Sequence, residues 1–537
     1  MSLFSKSFKA FLMVVATALL PMLASCQLIT EDYDDEISDN SASRYINITV
    51  SVSASNEPVT RANPTGGETG DGLEKGNDRE NQVDNITLIF YEDNDGINTD
   101  NDDTKVAFFA TYPVRKTDNN IFGHNHNLDD PNVGWTGDVN HQEGYANEVI
   151  YSTGDQKLDK EALDVKKTYH AIVVANAPET LLEDITVNVT TIKQVRDKVL
   201  TSVYSGSGVK NDAQNFVMSS ERDATVTFTN SKTDKENNTI TYYFDCIHIE
   251  RLAARIDFWA KTKDPDDGTY KAVEFVEAVD GIPAGYRYNV GKKNNHGRNN
   301  IFVLTRITPF NLMNSNSYEY LLKRTNDTNP YLAKETKTNW VLDYYSQNNG
   351  KGATTEHPNY LVSTLTDVTN DFDNDFTVTL GDCQTLSTAE TEGGKFIITE
   401  SGVNADNIIL NYPKENTLHS GSPLYYYATG LAFEGYYFDA SGSSNEYHSH
   451  GNGEPVVFYH FLRHQGEQDL AYQALTNETL TTDILCPESP AMNFGIVRNN
   501  IYRVNIESIT PDDEGIKVTL HIKVKKWDKF VHEPIYM

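Results

Sequence analysis

Two histidine pairs, His124 with His126 and His448 with His450, have a spacing that puts both imidazoles on one face of a strand, where they could share a metal ion. Their Asn-, Ser- and Gly-rich surroundings read as loop, so no metal is expected. Glu92-Asp93-Asn94-Asp95-Gly96, with further acids up to Asp103, has the look of a calcium loop. Setting Gly96 at the glycine position puts Tyr91 where the first carboxylate belongs, and no glutamate closes the loop. A solvated hairpin loop is the simpler reading. Asp371, Asp373 and Asp375 share one face of an extended run and could hold a cation, though a face turned to water explains them as well. Tyr425–Tyr427, with Tyr436 and Tyr437, could stack on a sugar; aromatic strands in a sandwich core are the usual cause of such runs. The sequence holds no Gly-x-Ser-x-Gly, no phosphate loop and no Cys–His pairing with catalytic spacing. No catalysis and no cofactor are expected.

Two covalent events are better supported. Lys6 and Lys9 precede an apolar run from Ala10 to Leu20, and Leu23-Ala24-Ser25-Cys26 follows, which reads as a secretory signal. The run is too short to span a bilayer as a helix. The cleavage region resembles a lipobox, in which residues 1–25 are removed and Cys26 takes a lipid. An acidic cluster (Glu31, Asp32, Asp34, Asp35, Glu36) resembles signals that carry lipoproteins to the outer surface, or is a solvated linker. The second event is scission. Val59-Thr60-Arg61-Ala62-Asn63-Pro64 opens a loop rich in Gly, Asp and Glu that runs to Asn81. An Arg61–Ala62 bond in flexible polar chain is an easy target for a trypsin-like protease, although from spacing alone Arg61 reads more simply as one arginine among many in a loop. Cutting there would remove residues 26–61 as a pro-segment and take the lipid with them.

What these events would act on is a pair of strands. Ile46, Ile48, Val50 and Val52 alternate with Asn47, Thr49, Ser51 and Ser53, so the apolar residues share one face. Scission at Arg61 would release that strand and leave its slot open. Near the other end Ile516, Val518, Leu520, Ile522 and Val524 alternate with Lys517, Thr519, His521 and Lys523. Trp527, Phe530, Val531, Ile535 and Tyr536 carry apolar surface almost to the terminus. Chain ends are usually polar and frayed, so this one must be docked, in its own sheet or in another molecule.

The 537 residues are enough for two or three domains. Thirty tyrosines, 23 phenylalanines and no long stretch of helical period argue for an all-β protein. Segments 86–91, 106–112, 169–175, 224–228, 240–249, 253–260, 377–380, 407–411, 424–429, 456–462 and 501–509 read as strands; 187–204 reads as helix and 158–164 as a short helical turn. Many short strands between polar turns suggest sandwiches or partly open barrels. The net charge is −32; positions 1–61 hold 4 of the 45 basic and 7 of the 77 acidic residues, leaving 41 and 70 beyond Arg61, a net −29. Such an excess repels nucleic acid and anionic lipid, leaving the lipid on Cys26 as the only membrane contact. Lys517, Lys523, Lys525, Lys526 and Lys529 make a basic tail on this acidic body, suited either to speed docking on another copy or to guard an exposed edge. Cys246, Cys383 and Cys486 are an odd number set far apart, and no disulfide framework is indicated.

Val497-Arg498-Asn499-Asn500-Ile501-Tyr502-Arg503-Val504-Asn505-Ile506, followed by the alternating strand, Trp527 and a last apolar segment, closely resembles the C-terminal part of Bacteroidales fimbrillins, the type V pilins, and best their short-fimbria branch. Ile249-Glu250-Arg251-Leu252-Ala253-Ala254-Arg255-Ile256 resembles that family's segment at its domain junction, and Tyr169–Asn176 and Asn85–Tyr91 resemble strands of its first domain. One departure stands out: where those relatives have a longer Pro- and Asp-rich stretch before the final strands, only Thr510–Gly515 stands here.

The resemblance implies two tandem transthyretin-like β-sandwich domains, here 62–250 and 251–537, with donor strands within 515–537. It implies a structural subunit of a cell-surface fimbria, held in the outer membrane as a lipidated precursor and cut after Arg61. Ile516, Val518, Leu520, Ile522, Val524, Trp527 and Phe530 would then fill the vacated slot of a neighbouring copy. Partners would be the chain itself in a head-to-tail polymer, accessory anchor and tip subunits, the maturation protease, and a host or bacterial surface receptor. Five apolar side chains buried at roughly 1.5–3 kcal/mol each give about 8–15 kcal/mol before the cost of ordering the tail. On this reading, removing Gly515–Met537 leaves a soluble monomer. The alternative is a tip adhesin or surface glycan-binding lipoprotein that ends a filament. A surface glycosidase comes third and would need two facing carboxylates in a cleft.

Overall fold

The computed structural model describes residues 42–52, 73–75, 78–92, 103–114, 150–206, 213–220, 223–264, 267–276, 278, 284–293, 295–313, 317–325, 341–345, 378–379, 407–417, 429–441, 446–449, 453–462, 470–473, 495–512 and 515–528. Apart from three short helices (Asp78–Asn81, Glu179–Leu182 and Ile192–Arg196), the regular elements among them are strands. The all-β class follows from the composition: β-branched and aromatic side chains fit a pleated, buried surface.

Two apolar cores organise the chain. The first runs from Ala42 to Ala253 and takes in Leu321, Leu322, Ile409, Tyr412 and Ile501 from later segments. The second runs from Ala254 to Ile522. Around the first lies an eight-stranded sheet ordered Val106–Pro113, Asn85–Glu92, Tyr169–Ala175, Met218–Ser220, Ile247–Arg251, Thr49–Ser51, Ile150–Ser152, with Ala224–Val226 paired off this path. Every residue of Tyr169–Ala175 is buried, as is Ile86–Tyr91, which is why both segments read as continuous apolar runs. A four-stranded sheet completes the unit, ordered Ser231–Asp234, Thr239–Tyr243, Ser43–Asn47, Gln156–Leu158. The second core is wrapped by one thirteen-stranded sheet that includes Arg255–Trp259, Gly285–Lys293, Asn299–Phe310, Gly430–Ser441 and Asn500–Asp512. The chain passes between cores at Ala253 and Ala254, where Ala254 N–H donates to Pro413 O and Asn499 N–H donates to Ala253 O, each at 2.9 Å.

Several expectations are corrected. The helix expected over 187–204 is one turn: Thr191 caps it through a reciprocal bond with Gln194, only Ile192, Val195 and Arg196 turn inward, and Val199–Leu200 is already a strand paired with Glu319–Tyr320. Segment 158–164 contains a turn after the strand Gln156–Leu158 rather than a helix. Segment 240–249 divides into Thr239–Tyr243 and Ile247–Arg251, which lie in different sheets. Segment 424–429 lies outside the described residues except for Thr429. The long central strands Gly285–Lys293, Asn299–Phe310 and Gly430–Ser441 were not anticipated. Asn299–Phe310 is buried at ten of twelve residues, so it carries no alternation to read. In Gly430–Ser441, Gly435 breaks the β pattern for a packing reason. A Cβ there would stand 2.4 Å from the ring of Phe302 and from Val303 O, so no side chain fits.

Candidate functional site

The alternating strand at residues 46–52 occupies an interior position. Its first half, Ser43–Asn47, lies parallel to Thr239–Tyr243 (Ile46 opposite Tyr242) and antiparallel to Gln156–Leu158 (Ile46 opposite Gln156). After a break at Ile48 its second half, Thr49–Ser51, crosses into the other sheet, parallel to Ile247–His248 and antiparallel to Ile150–Ser152. Both halves therefore have a bonded strand on each flank. Ile46, Ile48, Val50 and Val52 are all fully buried in the first core. At the crossover Ile48 N–H donates to Thr153 Oγ1 at 3.1 Å and Ile48 O accepts from Thr153 N–H at 3.0 Å. The polar edge is matched too: Asn47 donates to Asp155 Oδ1 at 3.0 Å and accepts from Ser152 Oγ at 2.7 Å. Four such side chains contribute roughly 6–12 kcal/mol of apolar burial. Taking this strand out would leave a two-sided slot with unpaired main chain on both walls.

The second alternating strand, Gly515–Asp528, forms a hairpin with Asn500–Asp512, in register from Asp512 opposite Gly515 to Asn500 opposite Lys526 with one bulge between Ile506 and Ser508. Its outer edge pairs antiparallel with Leu470–Gln473 along Lys517–Leu520 and parallel with Leu73–Lys75 along Lys526–Asp528. Val518, Leu520 and Ile522 are buried in the second core of their own chain. Of the two docking sites open to the tail, the structure thus has it in its own sheet. Deleting Gly515–Met537 would remove part of that core, so the expectation of a soluble monomer after deletion gives way to one of a destabilised second core. Ile516, Val524 and Trp527 lie on the same strand. Phe530, Cys26, Arg61 and Ala62 lie outside the described residues.

Between the cores sits a charged cluster that sequence reasoning missed. Arg255 reaches Glu80 through Nη1 at 2.9 Å and Asp257 through Nε and Nη2, each at 2.9 Å, with all three side chains fully buried. Glu80 comes from the helix Asp78–Asn81, and its carbonyl accepts from Arg251 Nε at 2.8 Å. Arg251 Nη1 reaches Asn499 Oδ1 at 3.1 Å. Tyr412 donates to Glu80, and burial together with that carboxylate holds its hydroxyl well above the usual range. Nearby, Arg498 lies between Glu415 (2.8 Å) and Glu319 (3.1 Å). Burial and the neighbouring Glu415 push the Glu319 carboxyl up, Arg498 opposing them. Lys414 donates to Ser317 O at 2.9 Å, and burial lowers its pKa to about 8, Glu319 opposing the fall. The block Val497–Ile506 supplies Arg498, Asn499 and Arg503 to this region. The one signal available in the sequence was four arginines set among apolar residues in two blocks, Arg251, Arg255, Arg498 and Arg503.

The other chemical candidates are not brought together. Glu92 ends the strand Asn85–Glu92 and pairs with Lys167 at 2.7 Å; Asp93 to Gly96 lie outside the described residues. His448 is exposed on the strand Glu446–Ser449, while His124, His126, His450, Asp371, Asp373, Asp375, Cys383 and Cys486 lie outside the described residues. Tyr437 is buried and accepts from Asn300 Nδ2 at 2.7 Å, and Tyr436 packs on Ile301, Val303 and Phe438, so both serve packing; Tyr425–Tyr427 are not described. Cys246 is half-buried. Among the described residues no group of three or more His, Cys, Asp or Glu is placed to hold a metal ion.

No protein-family model matches the chain, and no curated protein matches it by sequence. Solved structures similar to it over nearly its whole length include a candidate cell adhesion protein of Parabacteroides distasonis, at 12% identity and a TM-score of 0.41 over 91% of this chain and 99% of that one. The tip fimbrial protein Mfa3 of Porphyromonas gingivalis aligns at 10% identity and a TM-score of 0.35, over 90% and 100% of the two chains. A fimbrilin of Porphyromonas gingivalis aligns at 9% identity and a TM-score of 0.34, over 91% and 99%. All three superpose loosely.

Proposed function

We propose that the chain is a structural subunit of a cell-surface fimbria, exported as a lipoprotein precursor, lipidated on Cys26, cut between Arg61 and Ala62, and polymerised by strand exchange. The observation that carries this reading is the seating of residues 46–52. A segment expected to be removed is bonded on both flanks and fully buried on one face, so its loss creates a slot shaped for an alternating strand. The tail offers such a strand, and adding one to open edges is a recognised mode of association. Because the tail already buries Val518, Leu520 and Ile522 at home, exchange moves it between two dry sites. The vacated slot then supplies the driving force. The mature subunit would divide into units 62–250 and 251–537, meeting where the two cores part.

The test is N-terminal sequencing of protein sheared from cells, run beside unheated gels. Mature protein should begin at Ala62 and run as a heat-sensitive ladder. A chain that starts at Cys26 and still polymerises would refute the scheme.

The home seating of the tail supports a second reading, a tip adhesin that keeps its tail and ends a filament. That chain would have its slot filled by another subunit's strand but would cap polymers rather than extend them.

A further inference from the structure

Leu73–Lys75 follows the Arg61–Ala62 bond by a short stretch, yet it lies on the terminal hairpin. Leu73 stands opposite Lys526, Glu74 opposite Trp527 and Lys75 opposite Asp528 in a parallel ladder. This is the C-terminal end of the described tail strand; its other end pairs, Gly515 opposite Asp512, with Asn500–Asp512. A hairpin strand detaches most readily from the end away from its partner's connection, and that end is the one covered.

The covering segment is fixed at both sides. Upstream, Val52 is fully buried in the first core. Downstream, Glu80 and Asn81 are fully buried, and Glu80 is clamped by Arg255. We propose that Leu73–Lys75 is a latch that holds the tail closed in the precursor, and that scission at Arg61 loosens it. One cut would then both empty the slot and ready the strand that fills a slot. The inference rests on the strand-exchange reading above and adds the order of its events.

The physical basis is chain entropy. In the uncut chain Val52 and Leu73 are joined by covalent chain, and a segment tethered at both ends has fewer conformations to gain by letting go. After the cut, residues 62–72 are a chain end, and chain ends fray. A three-residue parallel ladder is short and parallel pairing is the weaker kind, so a change of this size can open it. The same contact would keep the tail of an uncut copy from filling the slot of a cut one.

The test uses full-length protein carrying Arg61→Ala, which stays uncut, beside wild type cut with trypsin-like protease. Hydrogen exchange is read at amides 522–528, with amides 169–175 as an internal reference for the fold. In the uncut protein Glu74→Pro, or glycine at 73–75, should speed exchange at 522–528 by on the order of tenfold and leave the reference unchanged. Cutting wild type should give a similar rise, and Glu74→Pro should then add little. Uncut Arg61→Ala protein carrying Glu74→Pro should donate its tail to the slots of cut copies sooner than uncut Arg61→Ala protein without it, while cut Glu74→Pro should form ladders with the lag of cut wild type. Unchanged exchange in uncut Glu74→Pro and in its glycine counterpart, or unchanged exchange after cutting, would overturn the latch. Uncut protein that joins ladders of cut protein at the same rate with and without Glu74→Pro would sink the latch while leaving strand exchange standing. No ladders from any cut variant would overturn strand exchange, and the latch's role with it.

Discussion

Leu520→Ala separates the two places the tail can lie. Leu520 is 5% exposed and belongs to the second core. Truncating a buried leucine to alanine costs about 2–5 kcal/mol, depending on how far the cavity collapses. For a unit of this size, each kcal/mol lowers the melting temperature by roughly 2–4 °C, so the second core should melt about 4–20 °C lower. Assembly should respond differently. If the tail leaves one dry site for another, the loss at home and the loss in the neighbour's slot have the same sign and similar size. Their difference decides the polymerisation equilibrium, and it should stay within about 1 kcal/mol, or roughly fivefold in critical concentration. The assay is a thermal scan of uncut monomer together with the critical concentration of cut protein, measured on the same variant. A second core that melts as wild type while assembly falls more than about a hundredfold would refute the reasoning. The tail would then contribute only to the neighbour.

Two further outcomes follow from the buried charges. Arg255→Met strands the carboxylates of Glu80 and Asp257 without their main cation, and should destabilise the chain by about 3–5 kcal/mol in urea titrations; a loss under about 1 kcal/mol would mean the cluster is wetter than the structure has it. Lys414 has a pKa of about 8 in place of 10.5, burial being the cause. Across that window the unfolded chain holds a proton the folded chain has released, so stability from this group rises with pH from 8 to 10.5. The stability difference between wild type and Lys414→Met should shift by on the order of 1–3 kcal/mol over that window, and parallel pH curves would rule the assignment out.

How much of this was legible in the sequence depended on whether one side of an element faces water. Ile46 to Val52 and Val518 to Ile522 alternate because each stretch has one dry face, and period two shows it directly. Asn299–Phe310 has no wet face to speak of, and its pattern is silent. Residues 187–204 misled for the opposite reason: Ile192, Val195, Val199 and Val203 keep helical spacing beyond Asp197, where the chain has already left the helix. The tail's alternation could be read, but not its present seat, since alternation fixes which face is dry and not which molecule dries it. The junction cluster was out of reach altogether. Glu80 and Arg255 are 175 positions apart and Arg251 and Asn499 are 248 apart, so only the fold brings these charges together.

Seating the segment around Ile48 between two pairs of strands also has a mechanical meaning. Arg44–Ile46 is bonded to Gln156–Leu158 on one side and Ile240–Tyr242 on the other; Val50 and Ser51 are bonded to Ile150–Tyr151 and Ile247–His248. Tension along such a strand acts in shear, straining the rungs of both ladders together, so bonding on two flanks loads more rungs at once than a single edge would. Resistance to a steady pull is set by the rate of the rupture step rather than by the equilibrium. Whatever strand lies in this slot is therefore held against force far better than its modest length suggests, and the two-sheet crossover at Ile48 adds a corner that must straighten before it can slide.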